Sequence, residues 1–559
     1  NPPIIAKKSP SITVQPLMLA GERTFARTFF SGCIPSDAEY ASYAMCCLSR
    51  EDIQRMRGIG EYVTPFLRNC LDAIAWDRYD IVGFSCMFEQ NIASLALAYE
   101  VKRRFPGKTI VFGGANCEDS MGLTLHACFP YIDYVCRGEA DYSFPELVRR
   151  LEQGQRIDDV AGLVYRRGNC SVSTGAPRLT SHLDALPYPD YDDYFRAVQT
   201  HAGPTGSSPT VLCEASRGCW WGEKSKCFFC GLNGGAVKSR CKSAARVEAE
   251  IDWLVQRYGA HYVRMVDNML NPKHIESLLP RQARKNSGVR YFWEIRPTLS
   301  KEHVKLLAAA GVQDAQAGIE NLSTNALRAM RKGSTSLGGI QTLKWCKQYG
   351  VRADWNILYG FPGETAADYA RNLELVRLLK HLDPPSTIGR FRMDRFSPSF
   401  EMAAEMGLTN VRPNPIYRYI YPLPEETLFN LVYSFEFGYQ TRIDDGDRTV
   451  PLHCEVQAWK NRSGQLTGVP AGEALVVCDD RVPWGARQRT FEGERRSLLE
   501  YCDRAQTVAT VENRLKLERS ETAMGKAEIE AILDEYVRDG LMIKEGSSYL
   551  SLPIMAHLG

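Results

Sequence analysis

The sequence lacks a long apolar run, an excess of either charge and a regular cysteine framework. Its 559 residues carry 68 Lys and Arg against 66 Asp and Glu, which argues against a nucleic-acid binder that relies on bulk charge. We find no apolar stretch of about 18 residues and no signal peptide, so neither a membrane-spanning nor a secreted protein is expected. The 18 cysteines are scattered, which predicts a reducing, cytoplasmic compartment where most of them are small buried side chains.

Between residues 79 and 153, short apolar runs alternate with segments of helical periodicity. The runs 79–85, 108–114 and 132–139 are nearly all apolar, as strands buried on both faces are. This alternation predicts an open parallel sheet whose ligand lies beyond the carboxyl ends of the strands. Glycines there allow a large ligand to approach the backbone, although turn glycines alone would give the same pattern. The candidate cofactor-binding residues at the three ends are Ser85, Met87, Phe88, Glu89, Gln90, Gly113, Gly114, Asn116, Gly138 and Glu139.

A second alternating series runs from residue 210 to 396 and contains about six strand–helix units. It predicts a partial or full β/α barrel, in which chemistry takes place at the carboxyl ends of the strands. The Pro-rich run 186–191 places a domain boundary near 190–205. The predicted fold is therefore α/β, with a Rossmann-like domain at 1–195, a barrel at 205–400 and a C-terminal α+β domain at 401–559. The side chains predicted at the barrel mouth are Asp267, Asn268, Glu294, Arg296 and Glu320.

Three cysteines directly after the first barrel strand are the most informative motif. Cys219, Cys227 and Cys230 have the spacing C-x7-C-x2-C, and the close pair is typical of a metal or iron–sulfur ligand set. Three thiolates on a four-iron cluster leave one iron open for another molecule. Zinc with Cys241 as a fourth ligand, or three plain buried thiols, are the alternatives that the spacing leaves open.

Outside these two series the pattern is weaker. A strand is predicted at 11–19, helices at 45–48 and 61–74, and a hairpin followed by a linker at 155–200, whereas residues 400–500 show no clear elements. A helical apolar face at 526–538, with strands at 541–544 and 549–552, predicts a winged-helix-like end. We interpret this end as a protein or peptide contact module, or equally as a cap that packs on the barrel.

Together these motifs resemble the radical S-adenosylmethionine (SAM) enzymes. The cysteine loop is similar to a lengthened form of their usual C-x3-C-x2-C, and segments 80–85, 113–117 and 137–139 resemble their cobalamin-binding domain. The runs 216–224 and 227–234 resemble the peptide-maturation C-methyltransferases of that group, most of all the tryptophan 2-C-methyltransferases of thiopeptide biosynthesis. The resemblance covers about residues 75–400.

The resemblance implies a cytoplasmic enzyme, expected to be a monomer, that uses a 4Fe–4S cluster held by the three cysteines, cobalamin, SAM and an electron donor. The residues at the sheet edge would line the cobalamin, and those at the barrel mouth would contact SAM. A methyl would pass from SAM via methylcobalamin to carbon 2 of the indole of tryptophan, or to a carbon of a residue in a precursor peptide. No nucleic-acid or membrane partner is expected. The candidate bases are Tyr291, Arg296 and Tyr359, and the candidate carboxylates for the open iron are Glu223 and Glu250.

One departure from the resembled family concerns the lower face of the cobalamin. Many of these domains supply an axial histidine from Asp-x-His-x-x-Gly, whereas here no histidine precedes His126 and no Asp lies two residues before it. We therefore expect cobalamin to bind without a histidine ligand, a state that favours strongly nucleophilic cobalt(I).

Three alternatives stay open at this stage. The spacing does not separate a radical from a polar methyl transfer. A methylthiotransferase or cyclase that moves no methyl through cobalamin is a second reading, although Cys33, Cys46, Cys47 and Cys70 lack the spacing of an additional cluster. A non-catalytic carrier of cobalamin or cluster is the third, and the second β/α series argues against it because a carrier needs no barrel.

Overall fold

The structure is a computed structural model that describes residues 18–45, 48–202, 209–232, 234–441, 446–481, 487–518 and 524–556. The strand predicted at 11–19 and the helix predicted at 45–48 lie partly outside these residues. Along the chain, a helical segment leads into a five-stranded sheet, a parallel barrel and a C-terminal α+β region. Within the described residues, no helix combines the length and apolarity that crossing a membrane requires.

Among the described residues, four α-helices precede the first sheet, where the sequence predicted helices only at 45–48 and 61–74. The first helix is fixed to the sheet by Glu22, whose carboxylate accepts hydrogen bonds from the backbone N–H groups of Asn91 and Ile92 at 2.9 and 2.7 Å. Both donors belong to the first turn of the helix after the first strand, where unpaired N–H groups attract an acidic side chain. The four helices are Ala20–Phe29, Asp37–Ala44, Arg50–Gly60 and Val63–Ala73.

The first sheet confirms the three predicted parallel strands and the hairpin. β1, β2 and β3 pair in parallel in chain order, and β4 and β5 add an antiparallel edge. Val111 belongs to one core cluster whereas Ile110 and Phe112 belong to another, as expected for a strand covered on both faces. The strands are β1 (Ile81–Ser85), β2 (Thr109–Gly113), β3 (Tyr134–Cys136), β4 (Leu163–Arg167) and β5 (Cys170–Ser173), and the helices are Asn91–Arg104, Asp119–Cys128, Ala140–Glu152 and Asp192–Ala202, the last within the predicted linker.

The barrel contains the six predicted parallel strand positions, in chain order. Five form one sheet, and the sixth pairs with a continuation of the fifth beyond Trp355. This Trp is fully buried, and its Nε1 donates to the backbone oxygen of Asp383 at 2.9 Å. The strands are β6 (Thr210–Cys213), β7 (Ser216–Arg217), β8 (Arg240–Cys241), β9 (Tyr262–Met265), β10 (Arg290–Ile295), β11 (Val312–Ala317), β12 (Arg352–Asp354), β13 (Asn356–Tyr359) and β14 (Thr387–Arg390), of which β7 and β8 form a separate antiparallel pair. The helices are Trp220–Lys224, Ala244–Tyr258, Pro272–Ser277, Leu279–Lys285, Lys301–Ala309, Thr324–Ala329, Ser336–Tyr349 and Ala366–Leu378.

The C-terminal region contains regular elements at 400–500, which corrects the expectation of an irregular segment. Its predicted winged-helix-like end is present, because the helix Lys526–Arg538 is followed by two paired strands. Three small sheets are formed by β15 (Met393–Asp394), β16 (Leu408–Pro413) and β17 (Ser434–Tyr439), by β18 (Leu466–Ala471), β19 (Ala474–Asp479), β20 (Arg487–Glu492) and β24 (Ile554–Met555), and by β21 (Gln506–Thr507), β22 (Met542–Glu545) and β23 (Ser548–Ser551). The other helices are Pro398–Glu401, Glu425–Leu431, Gly446–Asn461, Gly493–Tyr501 and Val508–Glu518.

Candidate active site

The cysteine loop is closed at its base by backbone pairing between β7 and β8. The chain enters the loop through Ala215 and Ser216, whose backbone N–H groups donate to Oδ1 of Asp267 at 2.7 and 2.9 Å. Asp267 is 1% exposed, and burial raises the pKa of its carboxyl to about 6. This residue, predicted as a SAM contact, thus fixes the end of β6 from which the cysteine loop departs.

The thiols of Cys219, Cys227 and Cys230 lie close enough to act on one another electrostatically. Cys219 caps the short helix that follows it, and the backbone N–H of Gly222 donates to its Sγ at 3.4 Å. Burial raises the pKa of the Cys230 thiol to about 11 and also raises that of Cys227. The positive charge of Lys332, and then that of Arg296, opposes this shift at Cys227 and so favours its thiolate.

This donor set fits an iron–sulfur cluster, which takes thiolate ligands and responds to hydrogen bonds and to burial. Nε of Arg296 and Nε1 of Trp220 are buried N–H donors without a partner among the described residues, and they are therefore available to a bound group. Phe228 in the loop is 3% exposed, which keeps water away. Over the described residues, no three His, Cys, Asp or Glu side chains gather tightly enough to hold a single metal ion.

A buried charged group flanks the thiols on the barrel side. The guanidinium of Arg296, which is 4% exposed, lies 4.0 Å from the ring centroid of Trp221, and its Nη2 donates to the backbone oxygen of Lys332 at 2.7 Å. Nζ of Lys332 is 3.0 Å from Oε1 of Glu320. Glu320 has a φ of 63°, a conformation that residues other than glycine rarely adopt and that is concentrated at functional sites. The predicted Arg296 and Glu320 are thus joined by Lys332, which no motif in the sequence marks.

Alternation along β10 divides its predicted residues between two faces of the strand. Phe292 and Glu294 share the face that points into the barrel, where Phe292 is paired with Arg264 of β9. Burial raises the pKa of Glu294 to about 7, and the nearby charge of Glu320 adds to the shift. Tyr291 is on the other face, is 2% exposed, and donates to Oε1 of Gln282 at 3.0 Å. Tyr291 therefore belongs to the core outside the barrel, which corrects its prediction as a catalytic base.

Three other candidates have hydrogen-bond or ion-pair partners within the protein. The hydroxyl of Tyr359 is 3.4 Å from Nε2 of His453, on the C-terminal helix Gly446–Asn461. Glu250 is 1% exposed and forms an ion pair with Lys242 at 2.8 Å, while Glu223 accepts a hydrogen bond from a loop N–H at 3.2 Å. These contacts do not support either carboxylate as a ligand of the open iron. Asn268 is half-buried beside Asp267.

The predicted cobalamin residues lie along one edge of the first sheet. The backbone of Cys86 joins two strand ends there, since its N–H donates to Gly113 at 2.7 Å and its oxygen accepts from Asn116 at 3.0 Å. Gly114 has a φ of 89°, and a Cβ at this position would lie 2.6 Å from the Cys86 oxygen, so only glycine fits. The neighbouring Met87 and Phe88 are 54% and 47% exposed. An apolar, glycine-containing edge of this kind fits a large ring such as that of cobalamin. Ser85 ends β1 and Gly138 follows β3 at this edge, while Gln90 accepts the backbone N–H of Met87 at 3.0 Å and Glu89 accepts that of Gly21 at 2.8 Å.

Glu139, predicted at this edge, joins the first sheet to the cysteine loop. Its carboxylate is paired with Arg240 of β8 at 2.5 and 2.8 Å and accepts the backbone N–H of Thr180 at 2.9 Å. Nearby, Arg217 of β7 pairs with Asp141 at 2.5 Å. Both arginines flank the cysteine loop, so its base is attached directly to the first domain.

The tip of the cysteine loop meets the other two regions as well. A side chain on Gly234 would collide with Glu118 of the first domain, and one on Gly231 would collide with the backbone of Arg395. Tyr433, beside Gly231, packs against Phe88 with 5.3 Å between ring centroids. The loop therefore lies between the barrel and the glycine-containing edge of the first sheet. No sequence signal marked Tyr433, because it follows a segment with no clear periodicity.

Comparison with known proteins agrees with this arrangement. Residues 214–376 match the model of the radical SAM superfamily, and residues 59–148 match the model of the B12 binding domain. An uncharacterized methyltransferase of Pyrococcus horikoshii is 28% identical over 311 residues, which cover 54% of this chain and 64% of that protein. The present chain thus spans less than two thirds of this relative.

Two solved structures share the fold at low identity. The cobalamin-dependent SAM radical enzyme OxsB is 15% identical, with a TM-score of 0.54, over 71% of this chain and 60% of that one. The radical SAM methyltransferase TsrM from Kitasatospora setae, with cobalamin and a [4Fe–4S] cluster bound, is 16% identical, with a TM-score of 0.51, over 70% and 81% of the two chains. The chain therefore joins a B12-binding domain to a radical SAM barrel, a combination that implies cobalamin, a 4Fe–4S cluster and SAM as its cofactors.

Proposed function

We propose that this protein is a cobalamin- and SAM-dependent C-methyltransferase that acts on an electron-rich carbon, with carbon 2 of the tryptophan indole as its target. The observation that carries the proposal is the position of the three thiols between the barrel mouth and the exposed edge of the first sheet. A cluster and a cobalamin at these places would face one another across the junction. The relatives named as methyltransferases support the same reaction class.

Different residues of the chain have separate roles in the proposed reaction. Cys219, Cys227 and Cys230 hold the cluster, and Arg296 offers a buried, unpartnered Nε to a group bound there. When bound, cobalamin supplies a cobalt centre that accepts a methyl from SAM and gives it to the substrate carbon. Glu294 faces the barrel interior with a pKa of about 7, which suits it to accept the proton that leaves the indole carbon as the new carbon–carbon bond forms.

The lower face of the cobalamin is proposed to carry no histidine. His126, the only histidine in the matched B12-binding segment, is 0% exposed, and both ring nitrogens are engaged: Nδ1 with Ser171 at 2.7 Å and Nε2 with the backbone oxygen of Asp133 at 3.1 Å. Burial also lowers the pKa of His126, in keeping with a neutral structural residue. The electron paramagnetic resonance spectrum of the cobalt(II) form tests this, since coupling to a protein imidazole nitrogen would contradict it.

The function is tested by anaerobic incubation of the reconstituted protein with methyl-labelled SAM and tryptophan, free or within a peptide. The expected result is one labelled methyl on the indole, located by mass spectrometry and NMR. The C227A variant is the control for cluster-dependent turnover. A methylthio or cyclised product, or no product with cobalamin merely retained, would replace this proposal with one of its rivals. Formation of 5′-deoxyadenosine in step with product would exclude the polar route and Glu294 as its base.

A further inference from the structure

The C-terminal end of the chain, residues 526–556, is joined to two barrel helices by side-chain hydrogen bonds. Nε2 of Gln348 donates to the backbone oxygen of Met555 at 2.8 Å, and Nη2 of Arg371 donates to that of Lys544 at 3.0 Å. Both donors belong to the barrel, on successive long helices that cover its outside. The C-terminal end therefore packs on the barrel through contacts that are polar as well as apolar.

A buried histidine lies within this contact. His381, which follows the helix Ala366–Leu378, is 3% exposed, and its Nε2 lies 3.0 Å from the backbone oxygen of Leu552. A carbonyl oxygen only accepts hydrogen bonds, so Nε2 carries the proton and Nδ1 carries a lone pair. Among the described residues, the buried Nδ1 has no hydrogen-bond partner. The geometry therefore selects the neutral imidazole.

The charges around His381 oppose its protonation. Three cations from the elements packed against His381 act on it, and each of them already has a carboxylate partner. The pairs are Arg481 with Asp479 at 2.7 Å, Lys344 with Asp503 at 3.2 Å and Lys347 with Asp383 at 3.0 Å. No carboxylate of the described residues takes a hydrogen bond from His381 itself. Burial, and then the charge of Arg481, lower the pKa of His381.

Protonation of His381 in the packed state would add a positive charge and an N–H donor at Nδ1, where neither a counter-charge nor an acceptor is present. A buried, unpaired charge is strongly destabilising. When the C-terminal end separates from the barrel, water reaches the ring and its pKa returns to about 6.5. Because the packed state has the lower pKa, it is fully favoured above about pH 6.5 and is progressively disfavoured as the pH falls below that value.

The carboxylate at the other side of the contact does not respond in this range. Burial would raise the pKa of Asp503, but the charge of Lys344 and a hydrogen bond from Lys301 outweigh it and hold the pKa at about 2. Lys344 also donates to the backbone oxygen of Ser551, one residue before the acceptor of His381. The ion pair of Asp503 with Lys344 therefore persists at pH values where His381 takes up a proton.

We propose that His381 makes the packing of the C-terminal end on the barrel sensitive to acid, so that this end separates from the barrel as His381 takes up a proton. The contact is then a pH-controlled joint between the barrel and the winged-helix-like end. The inference is independent of the proposed function, because no residue of the cysteine loop takes part in this contact.

The experiment measures the reactivity of Cys502, which is 0% exposed and lies within reach of the charge of Lys344. The cofactor-loaded enzyme is treated with 4,4′-dithiodipyridine at pH 7.5 and at pH 5.5, and labelled cysteines are quantified by peptide mass spectrometry. The rate at Cys502 is divided by that at the exposed Cys170, which removes the pH dependence of the reagent. This ratio should rise about 10-fold at pH 5.5, as expected for a histidine with its ordinary pKa in the separated state.

The variant H381Q tests the role of the imidazole, because a glutamine amide donates to the Leu552 oxygen but does not titrate. Its ratio should be the same at both pH values. H381N, which does not titrate either, should behave alike and takes the place of H381Q if that variant does not fold. H182Q removes an exposed histidine and is the matched control, with the full wild-type rise.

Two results would overturn the proposal. The first is a ratio that does not change with pH in the wild type, or that rises equally in the wild type and H381Q. The second is labelling of Cys213, which is 1% exposed in β6, in step with Cys502, since the barrel itself would then unfold in acid.

Discussion

At the residue scale, Glu294 carries a charge that the fold disfavours. Burial, and then the charge of Glu320, raise the pKa of Glu294 to about 7 from an ordinary value of 4.5. Because the folded-state pKa is the higher one, the stability contribution of this group is full below pH 4.5 and is lost as the pH rises through 7. We predict that E294Q, which does not titrate, melts progressively higher than the wild type as the pH rises from 5 to 8. The upper limit of the effect is about 3 kcal/mol.

The measurement is the Tm of wild type and variant at several pH values. E320Q is the contrasting variant, because it leaves Lys332 buried without its counter-charge and should lower the Tm at every pH. A difference between E294Q and the wild type that does not change with pH would show that Glu294 is not held with a raised pKa.

Individual residues also show which parts of the site could be predicted from the sequence and which could not. The alternation along β10 was readable, yet it did not say which face points into the barrel, and so Tyr291 and Arg296 received the same role. The structure separates them because Tyr291 finds Gln282 on a neighbouring helix. Lys332 was missed for a different reason: its partner Glu320 precedes it on a loop, and only the turn at Glu320 brings the two charges together.

At the scale of one element, the cysteine loop depends on Gly218. This residue has a φ of 77°, and a Cβ on it would lie 2.2 Å from the backbone oxygen of Lys238. An L-residue there meets both a left-handed backbone, which costs about 1–2 kcal/mol, and a collision with the returning strand. We predict that G218A loses most of its cluster, measured as iron and sulfide per chain, while the far-ultraviolet circular dichroism stays like that of the wild type.

The same loop offers a matched control in Gly235, where an added Cβ meets nothing within 4 Å. G235A should keep its full complement of iron. If G218A also retains it, the left-handed turn is not what holds Cys219 in place.

Elements were predictable where each one carries its own signal. The parallel strands of the first sheet and barrel are mostly short apolar runs, and each is followed at once by its helix. The segment 400–500 carries no such signal, because its strands are half-exposed and pair over long distances. β18, for example, pairs with β24, so that Thr467 is opposite Ile554. Pairing of this kind depends on the assembled molecule and is not encoded in a local pattern.

At the scale of the whole molecule, ion pairs set the position of the cysteine loop relative to the first domain. No sequence motif predicts these pairs. Glu139 was predicted as a cofactor-binding residue because it ends a strand, and that role stays a prediction. In the structure its side chain is 14% exposed and pairs with Arg240, whose side chain is 8% exposed. Charges this deeply buried require their partner, since removal of one leaves the other unpaired.

A double-mutant cycle on Arg240 and Glu139 tests the contact between the first domain and the cysteine loop. R240M removes the nearer of the two arginines that pair with the Glu139 carboxylate, leaving Arg217 at 3.4 Å, and should lower the free energy of unfolding by about 3 kcal/mol. The double variant R240M/E139Q should recover part of that loss, because neither buried charge remains. The exposed pair of Arg196 and Asp193, with side chains 71% and 94% exposed, is the control, with an expected coupling below about 1 kcal/mol. Urea titration gives the coupling energy, and cobalamin retention after gel filtration reports on the joint. A coupling at Arg240 and Glu139 no larger than that of the control would mean that apolar packing alone holds the first domain against the cysteine loop.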